Sequence, residues 1–296
     1  MLQKIGFGNI WFYQKWPPSN DNYEIANDEE INLYLDKLFF LKNKETIVMI
    51  DTANGYGNGM CEKKIGNYLS NNKKKINDCF IATKFGKELE NNTDFSYETI
   101  NKQFKNSINN LPKIDLLYIH MLYKSKINEC VDFFLDKKIL KYIQELKESN
   151  KIKYFGASIS NPNTLEYLFN LKLLNNIEYL QIPAWFLDHK NIVIILNKIY
   201  SYDIKIVINS PIRYIKNKNY EEQYLKLLNN NIISVVLSGT RYNLDNTYNY
   251  YSNYLTNLSP YPKCFLIDIN IKDYLDFFEI KIDLDTIQNI IDTFLN

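Results

Sequence analysis

Four side chains of this 296-residue chain have the types and spacing to do acid–base chemistry together: Asp51, Tyr56, Lys84 and His120. A phenol, with an ordinary pKa of about 10, is too weak an acid to release its proton readily near neutral pH. A neighbouring ammonium stabilises the phenolate and draws that value down, and a carboxylate behind the ammonium keeps it charged and aimed. An imidazole can orient an oxygen and donate to it. The set therefore suits protonation of a carbonyl oxygen as negative charge builds there and a hydride reaches the carbon. Each residue alone has a plainer reading. Asp51 could cap the next turn, Tyr56 is one of 24 tyrosines, Lys84 is one of many lysines, and His120 could be a packed core histidine. Their order on successive strand ends favours a shared site.

The elements that must hold them follow from the apolar pattern. Residues 47–50 are mostly β-branched and stop at Asp51, a buried strand ending in a carboxylate. A loop follows, with Tyr56 between Gly55 and Gly57, and then helical spacing over about 60–71. Further strands are expected at 4–12, 79–84, 115–120, 153–158, 178–182, 204–209 and 232–237, ending or passing Lys84, His120, Ser158 and Gln181. Helices are expected at 28–43, 99–111, 135–149, from about 163 and from about 192. Eight short strands alternating with helices predict an α/β fold, a single-domain (β/α)8 barrel over 1–250, whose C-terminal strand ends form the mouth where chemistry sits. Residues 251–296 are expected to form a C-terminal extension, with an extra strand at 264–271 and an amphipathic helix capped by Asp285.

Bulk properties narrow the partners. The formal net charge of +1 gives no reason to expect nucleic acid or an anionic membrane, and no apolar run approaches the roughly 20 residues of a membrane span. Cys61, Cys79, Cys130 and Cys264 form no C-x-x-C pair, which suggests neither a disulfide framework nor a metal site. The opening M-L-Q-K-I-G-F-G lacks the apolar core of a secretion signal, so a reducing, cytoplasmic location is expected.

The chain resembles the aldo-keto reductase family over roughly 4–249. The motifs are G-F-G near the start, D-T-A-x-x-Y-G at 51–57 with Glu62 and Gly66 following, A-T-K at 82–84 and D-L-L-Y-I-H at 115–120. K-I-K-Y-F-G-A-S, Y-L-Q-I-P, N-S-P and L-S-G-T follow in order at 151–158, 179–183, 209–211 and 237–240. The resemblance implies that Tyr56 donates the proton, that Lys84 and Asp51 tune it, and that His120 orients the carbonyl. It also implies a nicotinamide dinucleotide, held by Asn9, Ser158, Gln181, Ser210, Ile212, Gly239, Thr240 and Asn249. Trp185 and Phe186, after the strand of Gln181, and Trp11 on the first loop are apolar candidates for the wall of a substrate pocket, with ordinary packing under a loop as the plainer reading. NADP(H) is the family's usual cofactor. NAD(H) stays open, because Gly239 and Asp245 stand where many NADPH-preferring members carry Lys and Arg. Two further departures are Ile159, where many members have Asn, and Asn209, where the family commonly stacks an aromatic ring on the nicotinamide. S-I-S-N-P at 158–162 looks more like a branch whose members often act on sugars or sugar derivatives.

These readings imply an NAD(P)H-dependent oxidoreductase that reduces a small aldehyde or ketone to its alcohol. A cofactor-binding regulatory subunit with little turnover is the alternative. A third reading, an aldolase-type barrel with Lys84 as a Schiff-base lysine, leaves Tyr56 and His120 without a joint purpose.

Overall fold

Eight strands pair in sequence order, all parallel, and the first closes on the last to make a barrel. They are β1 (Leu2–Gly8), β2 (Ile47–Asp51), β3 (Cys79–Phe85), β4 (Leu116–Leu122), β5 (Tyr154–Ile159), β6 (Tyr179–Pro183), β7 (Lys205–Asn209) and β8 (Ile233–Ser238). The computed structural model describes residues 2–8, 26–41, 47–87, 93–122, 127–209 and 233–238. Asn9, Trp11, Ser210, Ile212, Gly239, Thr240, Asn249 and the expected extension 251–296 lie outside the described residues.

Strand side chains alternate with a period of two, and this sorts them into two apolar compartments. Met49, Phe80, Ala82, Leu116, Tyr118, Tyr179 and Val207 fill the barrel's interior. Their alternates, among them Ile50, Ile81, Ile119, Ala157, Leu180 and Ile206, join the layer between barrel and helices. Two residues beyond an interior side chain brings the chain back to the interior, one layer nearer the mouth. Asp51, Lys84, His120 and Gln181 stand at that parity after Met49, Ala82, Tyr118 and Tyr179, and Ser158 pairs in register with Gln181. One inward layer thus collects all five.

The outer helices are α1 (Asp28–Leu41), α2 (Met60–Asn71), α3 (Tyr97–Asn110), α4 (Ile127–Leu135), α5 (Lys137–Glu148), α6 (Pro162–Asn170) and α7 (Lys190–Tyr200). Their starts are chemically marked. Asn27 and Glu30 bond reciprocally at the head of α1, each backbone N–H reaching the other's side chain at 2.9 Å. Asn161 accepts from the N–H groups of Asn163 and Thr164, with Pro162 in the first turn of α6. The helix expected at 135–149 is α5, which starts where the Asp136 carboxylate accepts from the N–H groups of Lys138 (2.7 Å) and Ile139 (3.2 Å). Helix α4, just before it, is an addition to the expected elements: at nine residues its apolar spacing is too short to stand out. Helix α2 passes so close to the end of α3 that a Cβ on Gly66 would lie 1.7 Å from the Asn110 carbonyl oxygen.

Candidate active site

The loop that carries Tyr56 is built for a sharp reversal. Thr52 and Asn54 continue the β3 ladder, their N–H groups donating to the carbonyls of Ala82 (2.8 Å) and Lys84 (3.1 Å). Gly57, Asn58 and Gly59 then take successive left-handed conformations (φ 57°, 53° and 86°), a path that glycine and asparagine tolerate best. The turn brings the Tyr56 ring back over the barrel and starts α2 at Met60.

Lys84 is the junction. Its ammonium donates to the Asp51 Oδ1, to the Thr52 carbonyl at 2.8 Å and to the Tyr56 hydroxyl at 3.5 Å. Three acceptors match the three hydrogens of a charged ammonium. Lys84 is also 1% exposed, so solvent screens little of this contact. Asp51 accepts a second bond, 2.9 Å, from the Gln181 side-chain amide across the barrel. Burial alone would lower the Lys84 pKa, but the Asp51 and Tyr56 charges outweigh it and hold the value up. Burial pushes the Asp51 carboxyl up, against the pull of Lys84 and Gln181.

Tyr56 departs from expectation in one respect. Lys84 does draw its pKa down, but burial pushes it up by more and Asp51 adds to that, so the net direction is upward. In the chain alone, the phenol is therefore a loaded proton donor rather than a phenolate. Because its oxygen accepts from Lys84, its own O–H remains free to donate elsewhere.

His120 packs edge-on against Tyr56, with ring centroids 5.6 Å apart. Burial, reinforced by the ammoniums of Lys84 and Lys87, holds its pKa well below 6.5, so the imidazole is neutral at physiological pH. Its Nδ1 is buried with no hydrogen-bond partner.

Ser158 and Gln181 sit side by side on β5 and β6, and the Ser158 hydroxyl donates to the Gln181 Oε1 at 3.1 Å. With the other Gln181 bond going to Asp51, this pair keeps one amide hydrogen and the hydroxyl lone pairs unused. A primary carboxamide such as that of nicotinamide needs one donor and one acceptor, and these residues fit it. The same bonds make one chain, Ser158–Gln181–Asp51–Lys84–Tyr56.

Trp185 and Phe186 lie on the short 3-10 turn Ala184–Asp188 after β6. Phe186 is fully buried in the layer between barrel and helices, which leaves the half-buried Trp185 as the one with surface to offer a ligand. Three residues behind the site were not singled out for a role. Glu62, fully buried, accepts from Thr83 (2.6 Å), Ser107 (2.6 Å) and Asn54 (3.0 Å), tying the Tyr56 loop to the strand of Lys84. Burial pushes its carboxyl up and those three donors oppose it. Its place six residues after Tyr56, inside an otherwise amphipathic helix, was the available signal. Gln103 and Lys87, on the far side of the same turn, carried none. Among the described residues no group of three metal-ligating side chains occurs, and no helix is long and apolar enough to cross a membrane.

Residues 4–243 match the model of the Aldo/keto reductase family. The chain belongs to that family. Among curated proteins, it is 26% identical over 122 residues to the "Uncharacterized oxidoreductase YqkF" of Bacillus subtilis (strain 168), a match covering 40% of this chain and 37% of that one. It is 26% identical over 166 residues to the Glycine max "Probable aldo-keto reductase 1", covering 55% of this chain and 43% of that one. The match thus spans about two fifths of the length of each curated relative. Among solved structures, the holo form of the aldo-keto reductase AKR11C1 from Bacillus halodurans superposes with a TM-score of 0.60 at 16% identity, over 100% of this chain and 93% of that one. A Pseudomonas aeruginosa protein described as an aldo-keto reductase gives 0.63 at 15% identity, over 86% and 89%. An aldo-keto reductase from Klebsiella pneumoniae in complex with NADPH gives 0.54 at 12% identity, over 95% and 93%. At these identities the superpositions speak for the barrel.

Proposed function

We propose that this chain reduces a small aldehyde or ketone to the alcohol with a nicotinamide dinucleotide, Tyr56 supplying the proton. The observation that carries this reading is the sealed Asp51–Lys84–Tyr56 chain with the His120 ring against the phenol. The bound dinucleotide supplies a hydride. Ser158 and Gln181 hold its carboxamide with their unused donor and acceptor. His120, neutral in its buried setting, donates to the carbonyl oxygen and fixes its position. Tyr56 gives its proton to that oxygen as charge develops, and Lys84 stabilises the phenolate left behind. Asp51 keeps Lys84 charged and in place.

NADP(H) is the proposed cofactor, supported by the NADPH-bound relative from Klebsiella pneumoniae, with NAD(H) the alternative raised by Gly239 and Asp245. A sugar or sugar derivative is one substrate class within the reading. The test mixes the protein with NADPH or NADH and a panel of aldehydes, ketones and aldoses, and follows nicotinamide absorbance. Oxidation of one dinucleotide by at least one carbonyl is expected. Tight dinucleotide binding with no oxidation by any of them would point instead to the regulatory-subunit alternative.

A further inference from the structure

We infer that Lys87 gives this site a preference for carbonyl substrates that carry an anionic group, a carboxylate or a phosphate, beyond the reacting carbon. The inference rests on the reductase reading and adds a substrate class to it. Lys87 lies just past the end of β3, three residues after Lys84. It lies against the Tyr56 loop: the Cβ that Gly55 lacks would sit 3.0 Å from the Lys87 carbonyl oxygen, 3.5 Å from its Cβ and 3.6 Å from its Cγ. The backbone beneath it is held on three sides. Lys87 pairs with Thr93 in an isolated antiparallel bridge, its carbonyl accepts from the buried Gln103 amide at 3.3 Å, and the neighbouring Gly86 N–H donates to the same Gln103 at 2.7 Å. The backbone and first side-chain carbons of Lys87 are therefore fixed against the loop that carries the proton donor.

Among the described residues, the acids of the site bond to other groups. Asp51 already accepts from Lys84, and Glu62 is fully buried behind Thr83. His120 is neutral. Among the described residues no carboxylate forms an ion pair with Lys87, which is half-buried. Burial and repulsion from Lys84 both work against its charge, and an anion placed there would relieve both.

The side of the mouth matters. Ser158 and Gln181 put the carboxamide on β5 and β6, whereas Lys87 sits with Gly55, Lys84 and His120 on the side of β2, β3 and β4. On this inference, a substrate with its oxygen between Tyr56 and His120 extends its anionic group over that second side.

The test compares 4-formylbenzoate with its neutral methyl ester, which share ring and aldehyde and differ in charge. The readout is the ratio of kcat/KM for acid over ester, with NADPH. The wild-type ratio is expected to exceed one and to fall with added salt. Lys87→Met should lower the ratio about tenfold, the scale of one desolvated charge contact, while Lys87→Arg keeps it. An unchanged ratio in Lys87→Met overturns the inference. So does a variant that loses dinucleotide affinity while keeping its preference for the acid, since Lys87 would then serve the cofactor. Calorimetry of acid and ester on protein saturated with oxidised dinucleotide gives the same comparison without turnover. Tighter binding of the acid, lost in Lys87→Met, supports the charge preference even where no NADPH is consumed, and in that case only the reductase reading fails. Equal binding of the two probes overturns the preference.

Discussion

Two buried carboxylates, at opposite ends of the barrel, meet lysines on very different terms. Asp115 stands just before β4. It receives Lys113 at 3.0 Å and Lys153 at 2.7 Å, and its own carboxylate accepts the Ile81 N–H at 3.0 Å. Its lysines are 27% and 64% exposed, so water screens both pairs and the arrangement pins one strand to the next. Asp51 and Lys84, at the mouth, are 5% and 1% exposed, and their remaining bonds run to Thr52, Gln181 and Tyr56. The same chemical pair is a screened fastener at one end and an unscreened charge at the other. Exposure of the cation, more than the pairing itself, separates a candidate site from a structural contact.

The largest expected effect isolates the acid. Tyr56→Phe removes the donor and keeps the ring, and should lower kcat about 10²- to 10⁴-fold while dinucleotide affinity persists; near-normal turnover would reassign the proton. Next comes the ion pair itself. Lys84→Met leaves a buried carboxylate without its cation and should cost about 3–5 kcal/mol of stability in denaturant unfolding. A loss under about 1 kcal/mol would mean that Asp51 takes up a proton instead, and the contrast between the two ends would disappear.

His120 sharpens the comparison through pH. Its folded pKa lies below the unfolded value of 6.5, so as pH falls from there the unfolded chain binds a proton that the folded one refuses. Stability should then decline with falling pH, by up to about 1.4 kcal/mol per unit from this group. The slope should be shallower by that amount in His120→Gln, measured by unfolding across pH. The smallest effect belongs to the screened end. Lys153→Met should change stability by less than about 1 kcal/mol, and by less again in high salt.

Much of the barrel was legible because its strands are short β-branched runs ending in polar residues, and because inward parity places Asp51, Lys84 and His120 in one layer. Local spacing also carried the Tyr56 turn, where Gly57 and Gly59 supply left-handed backbone. Helix α4 was hidden, since nine residues give too few turns for an apolar period to show.

The sequence by itself determined the parity, the order of the elements and the cast of reactive side chains, because these depend on neighbours within a few positions. Only the tertiary structure decided that Gln181 reaches Asp51 across 130 positions, and that Glu62 joins Thr83 to Ser107. It alone decided that burial outweighs Lys84 at the Tyr56 phenol. Desolvation depends on what the whole fold packs around a group, and no local pattern encodes that sum.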